Sequence, residues 1–192
     1  MAGLPHFTNS AAGIKLYEPV YLNQFEVIIT PPAAVTLANT RFKGEGILTQ
    51  QVKSISGLAV DIQPAGASTQ YYKFAERRYA GGAPGDTSVT FSVDFEVNLN
   101  DQNSMVIYKI MRQWADLIYN PLTGAMGLKK DYAGSMVVSI FNKQGDVFRR
   151  ITLNNCFLTD SINEMALNYG AGDQLYGLTT QWKADYWQDQ FL

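Results

Sequence analysis

The chain offers few residues that do chemistry. His6 is the only histidine and Cys156 the only cysteine. A serine or cysteine nucleophile needs a base held beside it, and His6 sits in an N-terminal stretch with no scaffold to hold it. One histidine and one cysteine do not make a zinc site of the usual kind. Cys156 lies in the apolar run Asn155 to Leu158, where a lone thiol is a small core hydrophobe. Asp101-x-Asn103 resembles the opening of a calcium loop, but Arg112 stands where the bidentate glutamate belongs. Gly44-x-Gly46 and Gly170-x-Gly172 lack the third glycine and the strand-to-helix setting of a phosphate cradle. Asp94 and Glu96 lie two apart on one strand face. That spacing suits either a glycosidase-like acid–base pair or an ordinary wet face. No catalytic, cofactor or metal residue is assigned.

The elements that must position these residues are mostly strands. Tyr21 to Thr30 alternates, with Phe25, Val27 and Ile29 on one face, and Pro31-Pro32 ends it. A second strand is expected over Ile47 to Ile55, stopped by Gly57. Gly57 to Gly85 is a long glycine- and proline-punctuated excursion with an exposed hairpin about Gln70 to Tyr79; loops of that length are usually functional. Thr87 to Leu99 has the clearest pattern. Val89, Phe91, Val93, Phe95, Val97 and Leu99 alternate with polar residues, as in an antiparallel sheet with one wet face. Asn100 or Asp101 is expected to cap a helix whose stripe is Ile107, Ile110, Met111, Trp114, Leu117 and Ile118, ended at Asn120-Pro121. Strands are expected from Ser135 to Asn142 and Val147 to about Leu158, joined by a turn at Gly145. A last strand is expected from Gln174 to Trp187, with Tyr176, Leu178, Thr180, Trp182, Ala184 and Tyr186 on one side and Thr179, Gln181, Lys183 and Asp185 on the other. The sum is about seven strands and one helix: a mainly β, antiparallel sandwich or barrel with one covering α-helix.

Composition narrows the function. At 192 residues the chain forms a single domain (1–192, with a 1–20 N-terminal arm and the 57–86 excursion) and buries roughly 70% of its unfolded surface. Charged residues are 17%, against about 25% in an average globular protein. With 12% aromatics, such a surface favours assembly. The net charge of −2 lacks the basic excess of a nucleic-acid binder. The pairs Arg77-Arg78, Lys129-Lys130 and Arg149-Arg150 are scattered rather than gathered in one patch. Met1 to Lys15 has no basic stretch followed by an apolar core, which argues against a secretory signal. No apolar run approaches the roughly 20 residues of a membrane helix.

The order of parts resembles a known family. Asn23-Gln24-Phe25-Glu26-Val27 opens the first strand, and Ser56-Gly57-Leu58 leads into the excursion. The long alternating strand and the helix follow. Asn120-Pro121-Leu122-Thr123-Gly124 closes the helix, Asp131-Tyr132 precedes a strand hairpin, and Asp185-Tyr186-Trp187 lies in the aromatic end. From about Tyr21 to Trp187 this resembles the tail tube proteins of contractile-tailed, T4-like bacteriophages. Pro31 to Gly46 is longer than the family's connection.

The resemblance implies a β-sandwich whose inner strands close into a ring barrel on oligomerisation. Homohexameric rings stack into the inner tube of a phage tail, a structural conduit for DNA ejection without specific DNA binding. Its implied partners are further copies, the tail sheath, the tape measure protein, and baseplate and tail terminator proteins. Its implied place is the virion tail, assembled in the host cytoplasm. No catalysis, cofactor or membrane is implied. Tyr71, Tyr72, Phe74, Arg77, Arg78 and Tyr79 become the ring-stacking interface, and Asp94 and Glu96 face the lumen. Three other readings are the inner tube of a tailocin or type VI-like injection system, a carbohydrate-binding β-sandwich, and a hydrolase using Asp94 and Glu96.

Overall fold

Nine strands and three helical segments make up the computed structural model, which describes residues 20–36, 46–59, 65–73, 75–83, 88–97, 105–160, 162 and 177–192. The order is β1 (Phe25–Thr30), α1 (Ile47–Gln50), β2 (Val52–Ser56), β3 (Ala65–Tyr72), β4 (Ala75–Ala83) and β5 (Val89–Glu96). Then follow α2 (Val106–Ile118), α3 (Lys129–Tyr132), β6 (Gly134–Phe141), β7 (Val147–Leu158), β8 (Gly177–Ala184) and β9 (Tyr186–Phe191). All strand pairs are antiparallel.

The main sheet runs β1-β6-β7-β8-β5-β2, with β9 paired to β7. It is folded into two layers, β1-β6-β7-β9 and β2-β5-β8, and β7 joins them. Arg149 to Asn154 of β7 pair with β9, and Phe157 and Leu158 pair with β8 in the same register. The bend between them is built by Asn155, at φ 55°, facing Asp185, where β8 gives way to β9.

Inward residues of both layers form one core. Val27, Met136, Val138, Ile151 and Leu153 come from one layer and Phe91, Val93, Phe95, Leu178 and Trp182 from the other; all are buried. The helix α2 adds Ile107, Ile110, Met111 and Trp114, one stripe at i, i+3, i+4, i+7. Trp114 meets Trp182 edge-on, with ring centroids 4.8 Å apart. Its indole N–H donates to the Tyr132 carbonyl at 2.7 Å. A Cβ at Gly134 would stand 2.8 Å from both that ring and the Thr30 carbonyl oxygen, so only glycine lets the helix close on the sheet here.

The alternation in β1, β5 and β8 and the helical stripe match the sequence expectation. Several boundaries differ: β1 starts at Phe25 rather than Tyr21, β5 ends at Glu96, and Lys129–Tyr132 adds a short helix that was not expected. Ile47 to Gln50 is a helical turn, not strand, and β2 starts at Val52. The helix starts at Val106 with Met105 in a left-handed conformation before it, while the expected caps Asn100 and Asp101 lie outside the described residues. The last strand is two strands, and the buried side changes at the Asp185 bend: Ala184 is buried, Tyr186, expected on the same side, is exposed, and Trp187 packs against the core instead; Tyr176 lies outside the described residues. The excursion does contain a hairpin, β3-β4, longer than expected and a separate two-stranded sheet.

Candidate functional site

The outer face of the β2-β5-β8 layer is built from short polar side chains. It carries Ser54 and Ser56 on β2, Ser92, Asp94 and Glu96 on β5, and Thr179, Gln181 and Lys183 on β8. The inward positions between them are apolar, so the pleat alone sends these residues to the wet side. Asp94 ties the layer together. Ser54 Oγ donates to one of its carboxylate oxygens at 2.5 Å, and Thr179 Oγ1 to the other at 2.7 Å. One carboxylate thus spans three adjacent strands. Ser56 and Ser92 pair at 2.7 Å further along the same face. Glu96 is exposed and stands opposite Gly177. Asp94 is therefore engaged by hydroxyl donors, while Glu96 is the open carboxylate of this pair.

The hairpin is continuous in the chain with both β2 and β5, the first two strands of that face. Its register sets Tyr71 opposite Glu76, Gln70 opposite Arg77, Thr69 opposite Arg78 and Ser68 opposite Tyr79. Tyr71 is 81% exposed, an aromatic ring left open by the described residues. Phe74 and the side chains of Tyr72, Arg77, Arg78 and Tyr79 lie outside the described residues.

A second polar cluster holds the corner between the layers. Lys129 Nζ meets Asp185 Oδ1 at 2.6 Å, and Asn155 Nδ2 donates to Asp185 Oδ2 at 2.9 Å. The Asp185 N–H donates to the Asn154 carbonyl at 3.1 Å. The Lys129 hydrogen bond, followed by that of Asn155 and the charges of Lys129 and Lys183, holds the Asp185 carboxyl below its usual range; burial opposes this. Arg149 pairs with Asp189 at 2.7 Å across β7 and β9. Two of the basic pairs read from sequence thus each spend one cation on a strand junction.

Cys156 is buried and its Sγ points to the Leu153 carbonyl. Burial pushes the thiol up to about 12, the state of a packing residue rather than a nucleophile. No group of three metal-ligating side chains occurs among the described residues. His6, Asp101, Asn103, Gly44, Gly170 and Gly172 lie outside them. No helix among the described residues is long and apolar enough to cross a membrane.

The hydroxyl partners of Asp94 and the corner cluster were missed from sequence. Ser54 and Thr179 carry a local signal, since each falls on the polar phase of its strand. Asn155 and Asp185 carry none, because they are 30 residues apart and meet only through the register of β7.

The fold defines a class: two antiparallel layers joined through a bent strand pair, one long helix against the core, and a separate hairpin. No protein-family model and no curated protein matches the chain. Solved structures do. A chain of the anti-feeding prophage cap, the AFP tube terminating cap, superposes with a TM-score of 0.56 at 15% identity, covering 92% of this chain and 94% of that one. A chain of the extended sheath–tube complex of PVC, an extracellular contractile injection system, gives 0.55 at 15%, covering 95% and 99%. A chain of the PVC sheath/tube terminator gives 0.55 at 14%, covering 91% and 99%. The architecture is shared over at least nine-tenths of each chain, and these likenesses are of fold.

Proposed function

We propose that this chain is a structural subunit of the inner tube of a contractile injection system, acting by self-assembly rather than catalysis. The supporting observation is the end-to-end fold likeness to a chain of a sheath–tube complex, covering 95% of this chain and 99% of that one. The tube reading of the sequence stands with its injection-machine version ahead of the phage-tail version. The matched structures belong to a prophage cap and an extracellular contractile injection system.

The layer geometry suits ring closure. β2 has no strand partner beyond β5 among the described residues, and β8 meets β7 only at Trp182 and Lys183. The strands β2, β5, β8 and the end of β7 alternate in direction, so a head-to-tail neighbour meets this layer antiparallel. Six copies of four strands at about 4.8 Å each enclose a ring roughly 37 Å across before tilt. Layers about 10 Å apart require about 10 Å more outer arc per subunit in a six-fold ring, close to one helix diameter. The 13-residue α2, packed on both layers, is an element of that size. The hydroxyl-rich face with Asp94 and Glu96 then lines the bore, the β3-β4 hairpin reaches the next ring, and a sheath surrounds the tube. A bore with a free Glu96 and few cations does not hold a polyanion, since it offers little counterion release.

Sedimentation and negative-stain imaging of the purified chain over a hundredfold concentration range test the reading. Hollow rings or tubes are expected. A monomer at all concentrations, with saturable sugar binding, would replace it with the carbohydrate-binding sandwich.

A further inference from the structure

The loop after α2 carries a cluster of apolar side chains that the single chain leaves bare. Leu122 is 94% exposed, Met126 78%, Leu128 62% and Tyr119 50%. The loop is nonetheless rigidly built. Asn120 Oδ1 accepts from the Leu122 N–H at 2.9 Å and the Thr123 N–H at 3.4 Å. The Gly124 N–H donates back to Asn120 at 2.8 Å, and Tyr119 forms a bridge with Met126. A Cβ at Gly127 would lie 1.9 Å from the Leu117 carbonyl oxygen, so the loop is pressed on the helix end. A pre-ordered loop loses little conformational freedom on docking. Four exposed apolar residues fall within ten positions of one such loop, and the bridge sets Tyr119 beside Met126, unlike singly scattered ones.

The same chain holds a matching cavity. Between the edges of β1 and β2 lies an apolar hollow of about 250 Å³, lined by Tyr21, Leu22, Phe25, Ile55, Leu58 and Ile140 among others, of which Leu22 is 94% exposed. That volume takes about one or two aliphatic side chains, given that a cavity of about 150 Å³ takes a benzene. Loop and cavity lie toward opposite ends of β6, which runs from Gly134 beside the loop to Ile140 in the cavity wall, about 20 Å apart. The flanks also correspond. Lys130 and Asp131 follow the loop, and Glu26 and Lys53 line the groove adjoining the cavity, so each side offers one cation and one anion.

We infer that the Tyr119 to Leu128 loop of one copy seats in the β1–β2 cavity of a second copy. This rests on the self-assembly reading and adds a contact separate from strand pairing and from the hairpin. Because the two surfaces differ, the contact is head-to-tail, the kind that generates a ring or a helical array rather than a closed pair.

Cysteine cross-linking tests it. Leu22→Cys and Leu122→Cys both fall on residues 94% exposed, so neither disturbs the core, and the native Cys156 is buried and silent. A mixture of the two single variants should give disulfide dimers under mild oxidation, neither variant alone should, and the double variant should give a ladder. A second variant, Leu122→Asp with Met126→Asp, should keep the parent's melting temperature and weaken assembly about tenfold. Oligomers that form without the mixed cross-link overturn this contact and leave the tube reading standing. Cross-linking of either single variant with itself makes the contact symmetric and also overturns it. Absence of any oligomer overturns both readings.

Discussion

Removing one oxygen from the core should loosen the layer that is proposed to line the bore. Trp182 Nε1 donates to Thr180 Oγ1 at 2.7 Å, and Thr180 Oγ1 donates to the Val93 carbonyl at 3.0 Å. Both side chains are buried, so water does not substitute for either bond. Thr180→Val keeps the side-chain shape but leaves the indole N–H without an acceptor. A buried donor stranded in this way costs about 1–3 kcal/mol. For a chain of this length, each kcal/mol moves the melting temperature by about 2–4 °C. The central expectation is therefore a fall of about 4–8 °C, read by calorimetry or far-ultraviolet circular dichroism. Trp182→Phe removes the donor instead. Combining it with Thr180→Val should cost less than the two single losses added, because the stranded donor is gone. A Thr180→Val protein melting within about 1 °C of the parent would refute the reasoning, since a stranded indole must register on that scale.

Three further outcomes follow from the same structure. Arg78→Glu, or deletion of Tyr71 to Tyr79, should leave the domain folded and stop stacking; normal-length tubes from either would remove the hairpin's role. Asp94→Ala frees the Ser54 and Thr179 hydroxyls and should lower the melting temperature, whereas Glu96→Lys, at an exposed position, should not; equal effects would contradict the tie across three strands. The Asp185 carboxyl is held below its usual range by Lys129, so its stabilisation is present above the unfolded value of about 3.9 and is lost as pH falls through the lower folded value. Melting curves from pH 7 to pH 2.5 should therefore converge for the parent and Asp185→Asn at the acid end, the parent being more stable at neutral pH.

Much of the architecture was legible because burial on one face writes a period-two pattern. In β5, Val89, Phe91, Val93 and Phe95 alternate with polar partners, and the stripe of α2 reads as clearly. Where pattern and backbone part company, the sequence was silent. The alternation from Leu178 to Tyr186 passes through Asp185 without a break in sequence, although the chain changes layers there and Trp187 rather than Tyr186 meets the core. The bend depends on Asn155 and Lys129, whose nearness to Asp185 is a tertiary fact. In the hairpin only Gln70 to Tyr79 was legible; its outer ends, AGAST and AGGA, hold too many small residues to announce strands, and pairing with each other makes them so. The turn at Ile47–Gln50 is apolar at Ile47 and Leu48 and reads equally as strand. In the candidate site, Asp94 and Glu96 were found together on the wet face, but the difference between them was not visible, because it is set by hydroxyls 40 and 85 residues away in sequence.

The most direct measurement is a cryo-electron microscopy reconstruction of the assembled chain. The account predicts stacked six-fold rings with Asp94 and Glu96 on the inner wall and the Tyr71 hairpin crossing to the neighbouring ring. An assembly with the β2-β5-β8 face turned outward, or particles that never exceed one chain, would contradict it.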